Sequence, residues 1–279
     1  MKTWINSILF ITILLFTACG QPESQMDSSG QQGMNNNASV VGEEVSYSSG
    51  ELTMNGYIAY DENMQGERPG VLVVHEWWGH DEHARNSAEK LAELGYVALA
   101  VDMYGDGRMA DHPEDAMQFS GEVMGNFDEA QMRFQAAMET LQNHNMVNTE
   151  QIGAIGYCFG GSVILAMTHA GVDLDGVVAF HAGLQLPVMP EEQVDTDILI
   201  LNGADDPMVS NEDIKSLTSM YDDLGISYDF INYEGATHAY TNPAADSLGR
   251  EFDLPLAYDA EADEQSWERM KSFFDELFK

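Results

Sequence analysis

Basic residues are scarce in this chain. Only 11 Lys and Arg stand against 47 Asp and Glu, a formal net charge of −36 over 279 residues. Such a surface repels phosphate, which argues against a nucleic-acid partner. The same repulsion opposes electrostatic adhesion to anionic lipid. The acids read as a solvated surface that keeps the protein soluble, as in a salty medium. Cysteine is scarcer still, with only Cys19 and Cys158. Two cysteines in so long a chain make no disulfide framework. The glycines at 156–161 match neither Gly-x-Gly-x-x-Gly nor Gly-Lys-Ser, so they are not a phosphate loop. His80-Asp81-Glu82-His83 has no strong metal-ligand spacing and sits at an acidic helix start. No metal and no cofactor are expected.

What is present begins with an export signal. Lys2 precedes an apolar run from Trp4 to Phe16, followed by Thr17-Ala18-Cys19-Gly20. The run is too short to cross a bilayer comfortably and suits a signal h-region. Small residues before a Cys, with Gly after it, resemble a bacterial lipobox, although Phe16 stands where Leu is usual. Residues 1–18 are therefore expected to be cleaved and Cys19 to be lipidated. The protein would then be an exported, membrane-anchored lipoprotein facing periplasm or cell surface. The alternative is a plain secretory signal and a soluble secreted or periplasmic protein. Residues 19–42 are rich in Gln, Ser, Asn and Gly and poor in large apolar side chains, the composition of a flexible tether.

Residues 43–279 form the expected folded domain, and the chain's 44% hydrophobic content is enough for a substantial core. Two strands around Ser49-Gly50 suggest an edge hairpin. Val71-Leu72-Val73-Val74 is a continuous apolar run, mostly β-branched, typical of a strand buried on both faces. From there strands and helices alternate. Helices are expected at 81–94, 113–145 (one, or two broken near Gly121 or Gly125), 162–170, 211–224 and 259–278. Strands are expected at 96–101, 151–155, 173–180, 198–202 and 228–233. The segment with Pro243 and Pro255 reads as a loop. This alternation is α/β, a mostly parallel sheet with helices on both faces.

Gly156-Tyr157-Cys158-Phe159-Gly160-Gly161 lies between a strand and a helix, the setting of a nucleophile elbow. Ligand sites in such sheets lie at the carboxyl ends of strands. Four polar loops fall there, carrying Glu76, Cys158, Asp205-Asp206 and His238. Singly, His238 reads as a loop or core histidine, and the aspartates as turn or cap residues. Together they run in the order nucleophile, acid, His, as in an α/β-hydrolase triad. In a triad the His holds the nucleophile's proton and the acid fixes the imidazole tautomer. His181 reads as core or rim, and the Met-rich segment 113–145 as core and lid.

The motifs His75-Glu76-Trp77-Trp78-Gly79, Gly156 to Gly161, Gly203-Ala204-Asp205-Asp206-Pro207 and Gly235-Ala236-Thr237-His238-Ala239-Tyr240 together resemble the dienelactone hydrolase family. The resemblance covers nearly the whole domain and implies an α/β-hydrolase fold with a Cys nucleophile. It implies Cys158, His238 and Asp206 as the triad, with Asp206 rather than Asp205 at the family's acid position. It gives Glu76 the role of helping to generate the thiolate when substrate arrives. Until then, a carboxylate beside a thiol keeps it protonated and inert. The backbone N–H groups of Phe159 and Trp77 would form the oxyanion hole. Trp77, Trp78 and Tyr240 would wall the pocket. The implied substrate is a small-molecule ester or lactone, cleaved through a thioester. Family members that take dienelactone carry arginines for its carboxylate, one of them a few residues past the triad His. Here Thr241, Asn242 and Pro243 follow, which points away from dienelactone itself. Two other readings stay open on the residues alone: a non-catalytic binding protein on the same scaffold, and an amide or thioester hydrolase.

Overall fold

The structure, a computed structural model, describes Met1 and residues 38–279. The signal segment, Cys19 and the tether as far as residue 37 lie outside the described residues. The first strand, β1 (Val40–Ser49), begins three residues before the domain start expected at Glu43. Val40, Val41 and Gly42 pair with Asp61, Tyr60 and Ala59. Two β-branched residues with a strand to pair on belong to the sheet, so the last residues assigned to the tether are structural.

β1 forms the expected hairpin with β2 (Leu52–Asp61), turning at Gly50 with φ 61°. β3 (Arg68–Val74), β4 (Val97–Val101), β5 (Val147–Tyr157), β6 (Gly176–Phe180), β7 (Asp197–Gly203) and β8 (Tyr228–Tyr233) complete an eight-stranded sheet. Its order is β1-β2-β4-β3-β5-β6-β7-β8, and β3 to β8 are mutually parallel. The period of two divides each inner strand between two cores. Leu72, Val74, Leu99 and Val101 face one core, with Phe134 and Leu141, Val163 and Leu165, and Leu217 and Tyr221. Val71, Val73, Ala98 and Ala100 face the other, with Ala84, Ala88, Leu91, Met270 and Phe274.

Each helix covers a core for a local reason. α1 (Glu82–Glu93) starts because the Asp81 carboxylate accepts the N–H groups of His83 and Ala84, at 3.1 and 3.3 Å. It places Ala84, Ala88 and Leu91 inward, and the chain leaves through Gly95 with φ 97°. The Met-rich segment 113–145 is two helices, α2 (Pro113–Gly125) and α3 (Phe127–Gln142), broken at Asn126. α4 (Phe159–His169) follows the Cys158 turn, and α5 (Asn211–Leu224) opens on a Ser210–Asp213 capping box. α7 (Ala260–Leu277) closes the second face. The proline-flanked segment is not all loop: α6 (Ala245–Phe252) lies within it. Ala245, Leu248 and Phe252 recur at helical spacing and join a small apolar cluster with Trp78, Ala110 and Leu256. That spacing was legible; the two prolines masked it.

One buried carboxylate organises the loop after β4. Asp102 Oδ1 accepts the N–H groups of Tyr104 and Gly105, at 3.0 and 2.8 Å. Its Oδ2 accepts those of Asn55 and Gly107, at 3.0 and 2.8 Å. This ties the 102–107 loop to β2 and holds Tyr104 in place. Asp102→Ala should therefore lower the unfolding free energy by about 3 kcal/mol or more, since buried N–H groups lose a charged acceptor. Urea titration checks this, with the midpoint falling and the slope unchanged.

Candidate active site

The four loops converge at the carboxyl edge of the sheet because backbone meets backbone there. A Cβ on Gly160 would lie 2.2 Å from the Val74 carbonyl oxygen, and one on Gly156 would lie 2.3 Å from that of Gly160. A Cβ on Gly161 would sit 2.7 Å from Ala182 Cβ. Only glycine allows β3, β5, α4 and the segment after β6 to approach so closely. Between these glycines Cys158 is forced to φ 52°, ψ −114°, a strained conformation for a residue with a side chain. Its N–H donates to Phe180 O at 2.9 Å, and its carbonyl accepts from Ser162 N–H at 3.2 Å.

β7 and β8 are stitched together past their ends. Ala204 N–H donates to Tyr233 O, and Asp205 N–H to Ala236 O. The stitch brings the aspartate loop to the histidine loop. Asp206 Oδ2 lies 2.7 Å from His238 Nδ1, and His238 Nε2 lies 3.1 Å from Cys158 Sγ. Asp205 is exposed. Asp206 Oδ1 accepts Met208 N–H at 2.8 Å, which fixes the carboxylate. Burial works to strip the His238 proton, but charge on Cys158 and the bonds to Asp206 and Cys158 outweigh it. The imidazole is held well above its usual range.

Glu76 is buried and accepts from Asn242 Nδ2 at 2.5 Å through Oε2, while Oε1 has no partner among the described residues. Burial first, then the Asp81 charge, push its carboxyl up to about 7; Asn242 and His238 pull the other way. Glu76 is thus bonded to Asn242, and the thiol to His238. Asn242 lies four residues past His238, and nothing in its type announced this partnership.

The N–H groups of Phe159 and Trp77 donate to no group among the described residues. Trp77 is half-buried with its carbonyl held by Tyr104 Oη at 2.8 Å. Trp78 is 6% exposed and packs edge-on to Trp77 and against Phe252 of α6. Tyr240, expected as a pocket wall, is fully buried. Its hydroxyl donates to Leu201 O at 3.3 Å and its ring lies in the α1–α7 core, so it supports the site from below. Arg108 and Arg133 are both engaged. Arg108 bonds Glu122 and Tyr104 O and stacks on Phe119. Arg133 bonds Glu129 and the carbonyls of Met103 and Tyr104.

Histidines surround the site without carrying charge. His181 is core, with Nε2 2.8 Å from Thr241 Oγ1 and its ring edge-on to His238. His83 Nε2 lies 3.2 Å from Thr241 O. Burial pushes His83 down to about 4 and His181 well below its usual range. Among the described residues no cluster of His, Cys, Asp and Glu is placed to hold a metal ion.

Residues 54–278 match the dienelactone hydrolase family. A protein of Aquifex aeolicus (strain VF5), named as a candidate carboxymethylenebutenolidase, is 27% identical over 86% of this chain and 100% of its own length. A solved dienelactone hydrolase-like promiscuous phosphotriesterase from metagenomic libraries is 33% identical, with TM-score 0.79 over 86% of this chain and 99% of that one. The solved structure m3DLH is 35% identical, with TM-score 0.80 over the same shares.

The raised Glu76 carboxyl has a measurable cost. Below its ordinary value of 4.5 the group is protonated whether the chain is folded or not. Above it the unfolded chain ionises first. The stabilising contribution is therefore complete below 4.5 and is lost as pH rises through about 7. Glu76→Gln should remove this dependence. Between about pH 4.5 and pH 8, wild type should lose on the order of 3 kcal/mol more stability than the variant. Denaturant titrations across that range check it, and parallel curves would contradict it.

Proposed function

The chain belongs to the dienelactone hydrolase family and is a hydrolase, and we propose that it cleaves ester or lactone bonds of small, uncharged molecules through Cys158, His238 and Asp206. What carries this reading is the unbroken line from Asp206 to His238 to the Cys158 thiol, 2.7 and 3.1 Å, ending at a strained glycine-flanked turn. With the thiol proton held on His238 Nε2, Sγ attacks the substrate carbonyl carbon. The carbonyl electron pair moves onto oxygen, where the Phe159 and Trp77 N–H groups receive it. The pair returns, the C–O bond breaks, and the leaving alkoxide takes the proton from His238. A thioester remains on Cys158. Water then attacks it while His238 accepts its proton, and the thiolate departs from the carboxylic acid. Asp206 holds the imidazole in the tautomer that both steps need. Glu76, with its unpartnered Oε1, assists thiolate formation when substrate displaces its resting arrangement.

The engaged arginines and the neutral Asn242 support an uncharged substrate. An uncharged phosphotriester offers a comparable electrophile and an oxygen for the same N–H groups. The metagenomic relative named as a promiscuous phosphotriesterase supports that side activity. The lipobox-like residues 16–20 support export and lipid attachment at Cys19, with the hydrolase outside the membrane.

Cys158→Ala should abolish turnover of small aryl esters, by roughly 10³-fold or more, with the melting temperature near wild type. Unchanged hydrolysis would refute the mechanism. Neutral esters should be preferred over matched esters whose acyl group carries a carboxylate, as read by kcat/KM. Full-length Cys19→Ser should move from the membrane fraction to the soluble one.

A further inference from the structure

The motif His75-Glu76-Trp77 contains a histidine that the triad does not use. His75 is fully buried at the end of β3. Its Nε2 lies 3.3 Å from the backbone N–H of Met103. A backbone N–H can only donate, so Nε2 must be the bare acceptor. A neutral imidazole then carries its proton on Nδ1, which lies 2.5 Å from the Glu76 carbonyl oxygen. Burial supports the neutral state and pushes His75 below its ordinary range, outweighing the opposing pull of Glu76 O and the Asp102 charge. The tautomer is therefore dictated by two backbone groups.

The Glu76 carbonyl and the Trp77 N–H belong to one peptide plane. No cis peptide occurs among the described residues. In a trans peptide, C=O and N–H point in opposite directions. A donor that pins the carbonyl on one side aims the N–H at the other. Gly79 N–H adds a second, longer bond to the same oxygen at 3.3 Å. The next peptide is held too, because Tyr104 Oη donates to Trp77 O. The His75 ring also stacks on Phe159, with centroids 5.7 Å apart, and meets Tyr104 edge-on at 4.7 Å. One side chain thus touches the elements carrying both N–H groups that no described residue accepts from.

We propose that His75 is the positioning residue of the oxyanion hole: its Nδ1–H, fixed in that tautomer by Met103 N–H, locks the Glu76–Trp77 peptide so that the Trp77 N–H faces the developing oxyanion. This rests on the Cys158 ester-hydrolysis reading above. His75 touches no reacting atom. It acts on the peptide that does, and its effect is confined to steps in which a carbonyl oxygen gains charge.

The test separates that effect from general damage. Alkylation of Cys158 by iodoacetamide needs the thiolate but no oxyanion hole, and peptide mass spectrometry reads it at Cys158 alone. His75→Phe keeps the ring packing and removes both nitrogens. It should lower kcat for a neutral aryl ester by roughly 10²–10³-fold, the usual loss for one oxyanion donor, with KM within a few-fold. Its Cys158 alkylation rate and pH profile should match wild type. His75→Gln, which retains a donor and an acceptor, should recover most of the loss. Full ester turnover in His75→Phe overturns the proposal, and so does an equal loss of turnover and alkylation. Should that variant not fold, wild type still decides. Long-range 1H–15N spectra should place the His75 proton on Nδ1 from about pH 6 to about pH 8, whereas a free imidazole would titrate in that range. A proton on Nε2, or on both nitrogens, overturns it. Wild type and Cys158→Ala run alongside: if wild type cleaves no ester, or Cys158→Ala retains turnover, the hydrolysis reading has failed rather than the role of His75.

Discussion

Everything at the carboxyl edge of this sheet depends on one steric constraint, the approach of α4 to β3 with nothing between them. Gly160 passes so close to the carbonyl of Val74 that a single methyl would collide with it. That contact fixes the start of α4 relative to the segment after β3. It therefore fixes Phe159 relative to Trp77, and the strained Cys158 relative to both. The turn is held in an unfavourable conformation by regular structure on each side, as strain at a functional site must be. The histidine and aspartate loops come to this fixed point through the backbone stitch beyond β7 and β8.

Around that point the interior and the surface follow opposite electrostatic rules. The surface carries a large excess of acid. Inside, charge is rationed. His75, His83 and His181 are all pushed toward neutrality by burial, and Glu76 is pushed toward its protonated form. His238 alone among these imidazoles is driven the other way, by Cys158 and Asp206 together. A ring of uncharged histidines leaves one imidazole to hold the thiol's proton. Neutral rings can also serve as hydrogen-bond fixtures, since a neutral imidazole offers one donor and one acceptor and takes its tautomer from its neighbours.

The strand-helix alternation, the hairpin at Gly50 and most helix spans were legible because periodicity and caps are local signals. So was the succession of Cys158, Asp206 and His238, because the topology of a parallel sheet puts successive strand ends side by side. Choosing Asp206 over its neighbour required the family pattern; the residues alone allowed either. What escaped was carried by contacts between segments distant in sequence. Asn242 meets Glu76 across 166 positions, and its type says nothing of that. Tyr240 looked like a pocket aromatic by its place beside His238, yet the left-handed turn at Ala239, with φ 59°, sends it into the core. The α6 helix hid between prolines. The start of β1 was misplaced because Val40 and Val41 follow a polar stretch and gain their strand only by pairing with β2.

The direction of that edge strand has a mechanical meaning. β1 is antiparallel to β2, and β2 is antiparallel to β4, so β1 runs the same way as the six parallel strands. The chain therefore enters the fold at the end of the sheet remote from Cys158. A pull transmitted through Val40 would load the outermost strand first and leave the loops around the thiol facing the opposite way. The domain has an entry end and a working end, and the order of its first two strands sets which is which.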